Sequence, residues 1–530
     1  MLTSDYLPAT YPLIADIQGC EAWLSRATLA EPGRACITIA ELLAELEESP
    51  PGHAEYLGIL EKLRVPAMAA LAEQVRRLSG KSLPLSEPES NAFLEASRLT
   101  QALFNSYHRL LRASLNGNHP ALAREPAKLA ARTLAAGSQD IILHCLAKQS
   151  LNSSLWRRVH EAYALAESHG FADAPADDAS PRETATNAYL HALLVMLAAP
   201  QGMTTRELHW LQRWSRRWAH KVSLLRTPQK AAHYAVDLTS DLPPMWRLAG
   251  DSGPNVRFLD TTRLGGSLSR RARHLLLGET PASLGLGKDC VQPGTGELLA
   301  KLIRHWCSAP ATRQFPRRPA TCSAGPNTID VGVGFNAVHE CIAGKPFDEE
   351  RKPWEYSRRN IDQIHIFRHD HAAISTTDSP APGVIEHWIP VGESANGFCV
   401  RRSGRGARIV TGQLVCLRPQ GARRFIVTET RWGLQSADNL MIGARALPGL
   451  AQACIARDLN QDARPRNTPF RALLLPVGEK LPSSLIVPSG TYRAERSIEV
   501  ETEGGVLRLC MKELLGRGHD YERVSFEFMA

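Results

Sequence analysis

The sequence lacks the short motifs by which common catalytic sites are recognised. Its 530 residues contain no GxxxxGK[ST] phosphate loop, no GxSxG turn and no HExxH helix. The Gly-Val-Gly at Gly332–Gly334 lacks the third glycine of a dinucleotide-binding turn, and the sequence predicts no helix directly after it. None of the eleven cysteines forms a CxxC pair, which leaves neither a zinc ribbon nor a redox pair. We therefore expect a protein that is not an enzyme and carries no metal or cofactor.

Long apolar runs are also missing. The longest, around Tyr189–Pro200, is far short of the roughly 20 residues that a membrane-spanning helix needs. Met1–Asp5 shows no basic region before an apolar stretch, so no signal peptide is visible. An odd number of scattered cysteines fits reduced thiols. These features predict a cytoplasmic protein without membrane insertion.

Lysine is scarce, with 12 lysines against 50 arginines. Residues 1–240 hold 24 basic and 24 acidic side chains, whereas residues 241–530 hold 38 and 30, so the net charge of +8 lies in the second part. A basic field favours an anionic ligand in that part. The bias towards arginine fits recognition of guanine and phosphate, and it fits a genome-wide codon preference equally well.

The pattern of apolar residues predicts a multidomain α+β fold. We expect an all-helical domain, a bundle or irregular solenoid, over residues 1–228 and a mixed connecting module over 229–310. A small β-barrel is expected over 311–448, with an insertion at about 343–386. A further β-rich segment covers 468–530, and the sequence leaves open whether it forms its own barrel or completes the first.

Helices are predicted where apolar residues recur every three to four positions, and strands where short runs rich in Val, Ile, Leu and Phe lie between glycine and proline. Capping boxes at Ser86/Glu89 and Thr204/Glu207 mark two helix starts. The predicted strands of the first barrel are Thr328–Val333, His387–Val391, Gly397–Arg401, Ala407–Val410, Gln413–Arg418, Arg424–Arg431 and Leu440–Ala446.

Two features allow either a structural or a functional interpretation. The tryptophans of the 210–218 helix, interleaved with arginines, could stack bases, but packing of these tryptophans into the core is favoured. They are Trp210, Trp214 and Trp218. The insertion contains His365, His369 and His371 in HIFRHDH, which could bind zinc, although a polar exposed loop is favoured because the spacing matches no closed zinc site.

The stretch Trp388–Leu447 is the most informative. It contains W-I-P-V-G-E-S-A-N-G-F-C-V, then G-Q-L-V-C-L-R, F-I-V-T-E-T-R-W and L-M-I-G-A-R-A-L. This order of strands and turns resembles the PilZ domain, a bacterial six-stranded β-barrel that binds the second messenger cyclic di-GMP. The resemblance covers roughly residues 311–447 and does not reach the helical part.

The ligand motif of that family has two pieces, an RxxxR arm before the barrel and a [D/N]xSxxG turn. Arg313 and Arg317 in RQFPR match the arm, with Arg318 beside them, and Ser394 and Gly397 match the turn. The resemblance implies that the arm holds guanine and phosphate while the turn forms the opposing wall. A guanidinium suits this role because its planar fork pairs bidentately with phosphate or with the O6 and N7 atoms of guanine.

Two departures from the family pattern stand in this sequence. Gly392 occupies the first motif position in place of Asp or Asn, and Glu393 and Asn396 are the candidate replacements. Arg317 and Ser394 are 77 positions apart, a spacing that a looped-out insertion explains. The predicted ligand-binding set is Arg313, Arg317, Arg318, Ser394, Asn396 and Gly397.

The sequence suggests three alternative functions. The first is a cyclic di-GMP receptor that transmits binding to an unidentified protein partner through the helical domain. The second is a degenerate PilZ-like scaffold that binds no nucleotide, supported by Gly392. The third is a nucleic-acid binder that uses the eight arginines between residues 401 and 431, for which a solvated barrel face is the simpler explanation.

Overall fold

The computed structural model describes residues 14–116, 120–229, 232–247, 250, 252–308, 318–319, 328–347, 385–437, 439–459, 469–476, 483–502 and 504–529. The chain divides into two compact units. The first comprises Met1–Lys81 and Leu85–Thr312, and the second comprises Ser82–Pro84 and Arg313–Ala530. Each unit is described by itself.

Helices dominate the first unit. They are α1 (Ile17–Arg26), α2 (Pro32–Glu48), α3 (His53–Leu78), α4 (Glu87–Leu115), α5 (Pro126–Leu146), α6 (Leu155–Ser168), α7 (Ala185–Leu197), α8 (Thr205–Trp218), α9 (Thr262–Leu276) and α10 (Gly294–Cys307). Both predicted capping boxes are present. Glu89 accepts from the Ser86 amide at 2.9 Å, and Glu207 accepts from the Thr204 amide at 2.8 Å.

Helix α5 lies in the core of this unit, because nearly every residue from Leu129 to Leu146 is buried. Gly137 allows two neighbouring helices to approach it closely. A Cβ atom at this position would lie 2.8 Å from side-chain atoms of both Phe104 on α4 and Val159 on α6. The helix pattern predicted for residues 1–228 therefore arises from helices that pack around a common centre.

A small antiparallel sheet follows the first eight helices. Its strands are β1 (Ser223–Leu225), β2 (Tyr234–Asp237), β3 (Met245–Trp246) and β4 (Val256–Asp260), in the order β1-β4-β2-β3. Together with α9 and α10 it occupies the region predicted as a connecting module, and it lies in the same compact unit as the helices.

The second unit begins with a closed barrel. Its elements are β5 (Arg318–Pro319), β6 (Ile329–Val333), α11 (Phe335–Ala343), β7 (Ile385–Ser394), β8 (Gly397–Ser403), β9 (Leu414–Pro419), β10 (Ile426–Ser436) and β11 (Asn439–Ala446). Six strands in the order β7-β6-β9-β10-β11-β8 close through a β7–β8 pairing, and β5 pairs with the far end of β7. The predicted fold class, helices followed by a six-stranded barrel and more β-structure, is confirmed.

One predicted strand of this barrel, Ala407–Val410, is wrong. Only Ile409 forms an isolated bridge, with Leu83. The backbone of Ala407 is bonded to side chains instead of a ladder. Its amide donates to Glu386 Oε1 at 2.6 Å, and its carbonyl oxygen accepts from Arg402 Nη2 at 3.1 Å.

A second closed barrel ends the chain. It contains β12 (Gln452–Asp458), β13 (Phe470–Leu475), β14 (Ser484–Pro488), β15 (Ser497–Thr502), β16 (Gly505–Arg517) and β17 (Tyr521–Phe528). The order β12-β13-β14-β17-β16-β15 is closed, so this segment forms its own barrel. Its first strand, β12, lies before residue 468 and was missed from the sequence, because its inward residues Cys454 and Ala456 are small.

The two barrels share a hydrophobic core to which α11, β9, β13 and β14 contribute. Asp520 of the second barrel strengthens this contact. Its carboxylate accepts from the amide of Phe335, at the start of α11, at 2.7 Å and from the amide of Leu414 in β9 at 2.9 Å. Burial raises the pKa of Asp520, while these two amides oppose the rise.

Candidate ligand-binding site

The predicted arginine arm is only partly within the described residues. Arg313 and Arg317 lie outside them. The backbone of Arg318 forms the first residue of β5, where it pairs with Glu393, and Pro319 pairs with Gly392. β5, whose first residue is Arg318, therefore runs antiparallel to the strand that ends at the Ser394 turn.

The predicted turn joins β7 to β8 as a tight hairpin. Ser394 pairs with Gly397, which leaves Ala395 and Asn396 as the two-residue loop. The Ser394 hydroxyl lies 3.3 Å from both Asn396 Oδ1 and the Gly397 carbonyl oxygen, and the Ala446 amide donates to the Asn396 carbonyl oxygen at 2.9 Å. Ser394, Asn396 and Gly397 are thus held together, with Asn396 exposed.

Gly397 is required by strand packing. A Cβ atom there would lie 2.8 Å from the backbone oxygen of Ala444 in β11. The sequence placed Gly397 in the ligand-binding set, and the geometry adds a structural cause for this glycine that acts without any ligand.

A row of side chains crosses the outer face of the barrel at this turn. Ser394 pairs with Gly397, and Gly397 pairs with Arg445 on β11. Directly paired residues point to the same face of a sheet, so these three share one surface. Arg445 is exposed and forms no ion pair within the described part of the chain. Sequence reasoning missed Arg445, whose register opposite Gly397 becomes visible only with the strand order.

Two of the four residues in the next row are glycines. Gly392 pairs with Cys399, which pairs with Gly443, which pairs with Trp432 on β10. A Cβ atom on Gly443 would lie only 2.0–2.8 Å from atoms of the Trp432 indole ring. The ring therefore lies against Gly443, and the surface beside it is shallow.

Apolar and cationic side chains border this shallow surface. Ile389 and Val391 are 43% and 41% exposed, and Arg401 pairs with Ile389 from β8 and is also exposed. We call this region, bordered by Trp432, Arg401 and Arg445 and ending at the Ser394–Gly397 turn, the outer-face platform. It combines an aromatic ring, two guanidinium groups and open backbone, which are the groups that bind purine and phosphate.

The eight arginines between 401 and 431 do not form one uniform surface. Arg402 is buried over the Trp388 ring and pairs with Glu386, Arg418 holds Asp330 at 2.7 Å and Arg431 holds Glu429 at 3.1 Å. These contacts stabilise the barrel. The exposed members that form no ion pair within the described residues are Arg401, Arg405, Arg423 and Arg424.

The tryptophans of α8 are core residues, as the sequence favoured. Trp210, Trp214 and Trp218 are 2%, 0% and 1% exposed. Two of the indole N–H groups donate at 2.8 Å to the 286–289 loop, Trp210 to Asp289 and Trp214 to the Leu286 carbonyl oxygen. Buried rings offer no free face on which a base could stack.

The histidines of the insertion, His365, His369 and His371, lie outside the described residues. Two other histidines of the second unit are bonded within the barrels: His387 contacts Asp330 at 2.9 Å, and His339 contacts the Cys454 carbonyl oxygen at 3.1 Å. Among the residues that the structure describes, no group of three or more His, Cys, Asp or Glu side chains could hold a metal ion. None of the described helices is long and apolar enough to cross a membrane.

Comparison with known families gives two matches. Residues 18–229 match the model described as "Cyclic-di-GMP receptor FimW, N-terminal domain", and residues 454–529 match "FimW C-terminal beta-barrel domain". The first match runs from α1 to just beyond β1, and the second covers nearly all of the closed barrel β12–β17. No curated protein and no solved structure matches this chain.

These matches change the sequence-based assignment in two ways. The helical part, which the sequence left unassigned, is recognised, and the region that resembles PilZ lies between the two matched segments. The matches support a receptor for cyclic di-GMP and give no support to PilZ in particular. Both terminal domains of one family are matched in order and together span just over half of the chain, so this chain is similar to the cyclic di-GMP receptor FimW in its helical part and in its second barrel.

Proposed function

We propose that this chain is a cytosolic cyclic di-GMP receptor and that the nucleotide binds on the outer-face platform, between the Arg313–Arg318 arm and the Ser394–Gly397 turn. The observation that carries the proposal is the pairing of Arg318 with Glu393. It brings the backbone of Arg318, the last residue of the arm, alongside the strand that leads into the turn, although 75 positions separate Arg318 from Glu393 in the sequence.

Covalent geometry keeps the arm near the platform. Consecutive Cα atoms are about 3.8 Å apart, so Arg317 lies within one residue of a position that is paired with β7. An arginine side chain is long enough to reach across one neighbouring strand, since strands lie about 4.8 Å apart. The arm can therefore supply guanidinium groups to a ligand at the turn.

The platform offers what a guanine nucleotide needs. Trp432 provides an aromatic ring against which a purine can stack, a contact of about 1–3 kcal/mol. Arg445 and Arg401 provide exposed cationic donors that form no ion pair in the described chain; Glu429, which is opposite Arg445 on β10, pairs with Arg431 instead.

Gly392 stands where the PilZ motif has Asp or Asn, so the hydrogen-bond acceptor of that side chain is missing here. Asn396, exposed in the turn, is the available acceptor for the guanine N–H groups, since Glu393 pairs with Phe398 and therefore lies on the opposite face of the sheet.

Calorimetric titration of the full chain with cyclic di-GMP tests the proposal. Arg313→Ala and Arg317→Ala should each lower affinity about 10- to 100-fold, because each removes charge-assisted hydrogen bonds of about 1.5–3 kcal/mol. Arg493→Ala is the matched control, since Arg493 is exposed and lies between β14 and β15 of the second barrel. Absence of heat at high micromolar nucleotide, in protein whose circular dichroism is native, would rule out the receptor function.

We further propose that nucleotide binding shifts an equilibrium between two states of the chain and thereby changes how the helical domain binds a protein partner. A ligand shifts such an equilibrium only by its differential affinity for the two states. Gly392 favours the second candidate, a PilZ-like scaffold that binds partners without nucleotide. In that case Arg313→Ala and Arg317→Ala would leave partner capture unchanged, and the titration would show no nucleotide binding.

A further inference from the structure

A second concentration of positive charge lies in the first unit, where the end of α8 meets α9. Its members form no ion pair with a carboxylate among the described residues, whereas other arginines of the same unit, such as Arg257 and Arg213, do. We call this group the cation cluster. It comprises Arg217, Lys221, Arg263, Arg270 and Arg271.

The five groups are close enough to repel one another. Burial lowers the pKa of Lys221, and the charges of Arg271, Arg270, Arg263 and Arg217 lower it further. On α9, Arg263, Ser267, Arg270 and Arg271 stand at positions i, i+4, i+7 and i+8, which is one face of a helix. Assembly of these like charges opposes folding, so another role must account for it.

Two of the cations converge on a single neutral oxygen. Lys221 Nζ and Arg271 Nη1 each donate to the hydroxyl oxygen of Ser267 at 2.6 Å. The two nitrogens are therefore at most about 5 Å apart. A hydroxyl orients both donors without neutralising either, whereas an anionic oxygen at this point would do both.

The arginines are oriented in advance by neutral groups. Arg217 donates to the Gly285 carbonyl oxygen, and Arg271 Nε donates to the Leu284 carbonyl oxygen at 3.1 Å. The Arg271 guanidinium also lies 5.4 Å from the centre of the Trp218 ring. Carbonyl and aromatic contacts hold these side chains in place while leaving their charge available, which reduces the ordering cost of binding an anion.

The dimensions favour a compact ligand with more than one phosphate. Arg263 and Arg271 are eight residues apart, which corresponds to about 12 Å along a helix, and Lys221 faces the middle of this span. One phosphate group would meet only part of the five charges. Single-stranded nucleic acid is bound with exposed aromatic rings, and the tryptophans beneath the cluster are buried.

We propose that the cation cluster is a phosphate-binding site, separate from the outer-face platform, for a compact ligand that carries at least two phosphate groups. Such groups occur in a free diphosphate and in a phospholipid surface. The inference depends on residues of the helical unit alone, so it stands or falls independently of the receptor proposal.

Titration of the full chain with inorganic pyrophosphate at low salt tests the site. The double variant Arg263→Gln/Arg270→Gln removes two exposed charges without touching the core, and it should weaken binding at least 10-fold. Arg206→Gln is the control, because Arg206 is exposed in the first turn of α8, eleven residues and about 16 Å along the helix from Arg217. It should change affinity less than twofold. No binding of pyrophosphate, or an equal loss in the control, would overturn the site.

Two further arms identify the source of the phosphate. In the first arm, the protein is sedimented with phosphatidylcholine vesicles that contain phosphatidylglycerol. Sedimentation of the unmodified protein but not of the double variant would support the site and identify lipid headgroups as the source of the phosphate. Displacement of pyrophosphate by a 12-nucleotide single strand that binds more tightly would overturn the compact ligand in favour of nucleic acid.

Titration of the double variant with cyclic di-GMP separates the two proposals. An unchanged affinity, with pyrophosphate binding lost, supports two separate sites. Loss of cyclic di-GMP binding in this variant, together with retention in Arg313→Ala, would support the cation cluster as the nucleotide site and contradict the platform.

Discussion

At the residue scale, two glycines shape the outer face of the first barrel. Gly443 lets the Trp432 ring lie against β11, and Gly397 lets β8 approach β11. Neither glycine has a positive φ, so each is needed for the space that its missing Cβ leaves. The Ser394 turn was predicted from its motif, whereas the role of Gly443 depends on its register opposite Trp432 and could not be.

Trp432→Ala should lower the affinity for cyclic di-GMP about 5- to 100-fold, since a stacked base is worth about 1–3 kcal/mol. The measurement is calorimetric titration of the full chain. Trp246→Ala is the control, because Trp246 is also partly exposed and lies in the first unit. Equal affinities for wild type and Trp432→Ala would contradict a purine on the platform.

Gly397→Ala should destabilise the first barrel, because the new Cβ would lie 2.8 Å from the Ala444 backbone oxygen. Overpacking of this kind costs about 1–3 kcal/mol, which corresponds to a fall of about 2–10 °C in the Tm of a unit of this size. Gly516→Ala is the control, since a Cβ there has no neighbour within 4 Å. A Tm for Gly397→Ala equal to that of the control would show that the strands adjust at no cost.

At the scale of elements, Asp520 joins the two barrels by binding the amides of Phe335 and Leu414. Asp520→Ala would leave both N–H groups without this acceptor, at a cost of about 1–3 kcal/mol for each group that stays buried. Hydrogen exchange by mass spectrometry should then show faster exchange in peptides that contain residues 335 and 414. Peptides of β15, which Asp520 does not contact, should be unchanged. Unaltered exchange at both amides would show that Asp520 does not hold this junction.

Helices and strands were predicted correctly where the spacing of the apolar residues and the length of the segment indicated the same element. The long amphipathic helices α3 to α5 and the Val- and Leu-rich strands β9 and β14 have one buried face or a buried run that the sequence displays. Strand β12 was missed because its core residues, Cys454 and Ala456, are small. The predicted strand Ala407–Val410 does not form because the side chains of Glu386 and Arg402 bind the backbone of Ala407. Glu386 is 21 positions away, so the local pattern could not reveal this contact.

The whole molecule depends on contacts that no local pattern contains. Closure of the first barrel through β7 and β8, the pairing of β5 with β7 and the gathering of Lys221 with arginines of α9 all join residues far apart in sequence. Charge counts placed the excess of positive charge in the second part. They could not reveal the cation cluster, because Arg217 and Lys221 belong to the neutral part of that count while the cluster's three arginines on α9 belong to the basic part.

Coupling between nucleotide binding and the helical part is a prediction about the whole chain. If the receptor transmits binding, saturating cyclic di-GMP should change hydrogen exchange in peptides of the helical unit as well as in β7, β8 and β11. The physical reason is that a ligand with different affinity for two states of the chain changes their populations throughout. The Arg313→Ala variant at the same nucleotide concentration is the control and should show neither change. Protection confined to the barrel would mean that binding occurs without transmission, and the helical unit would then act on its partner independently of the nucleotide.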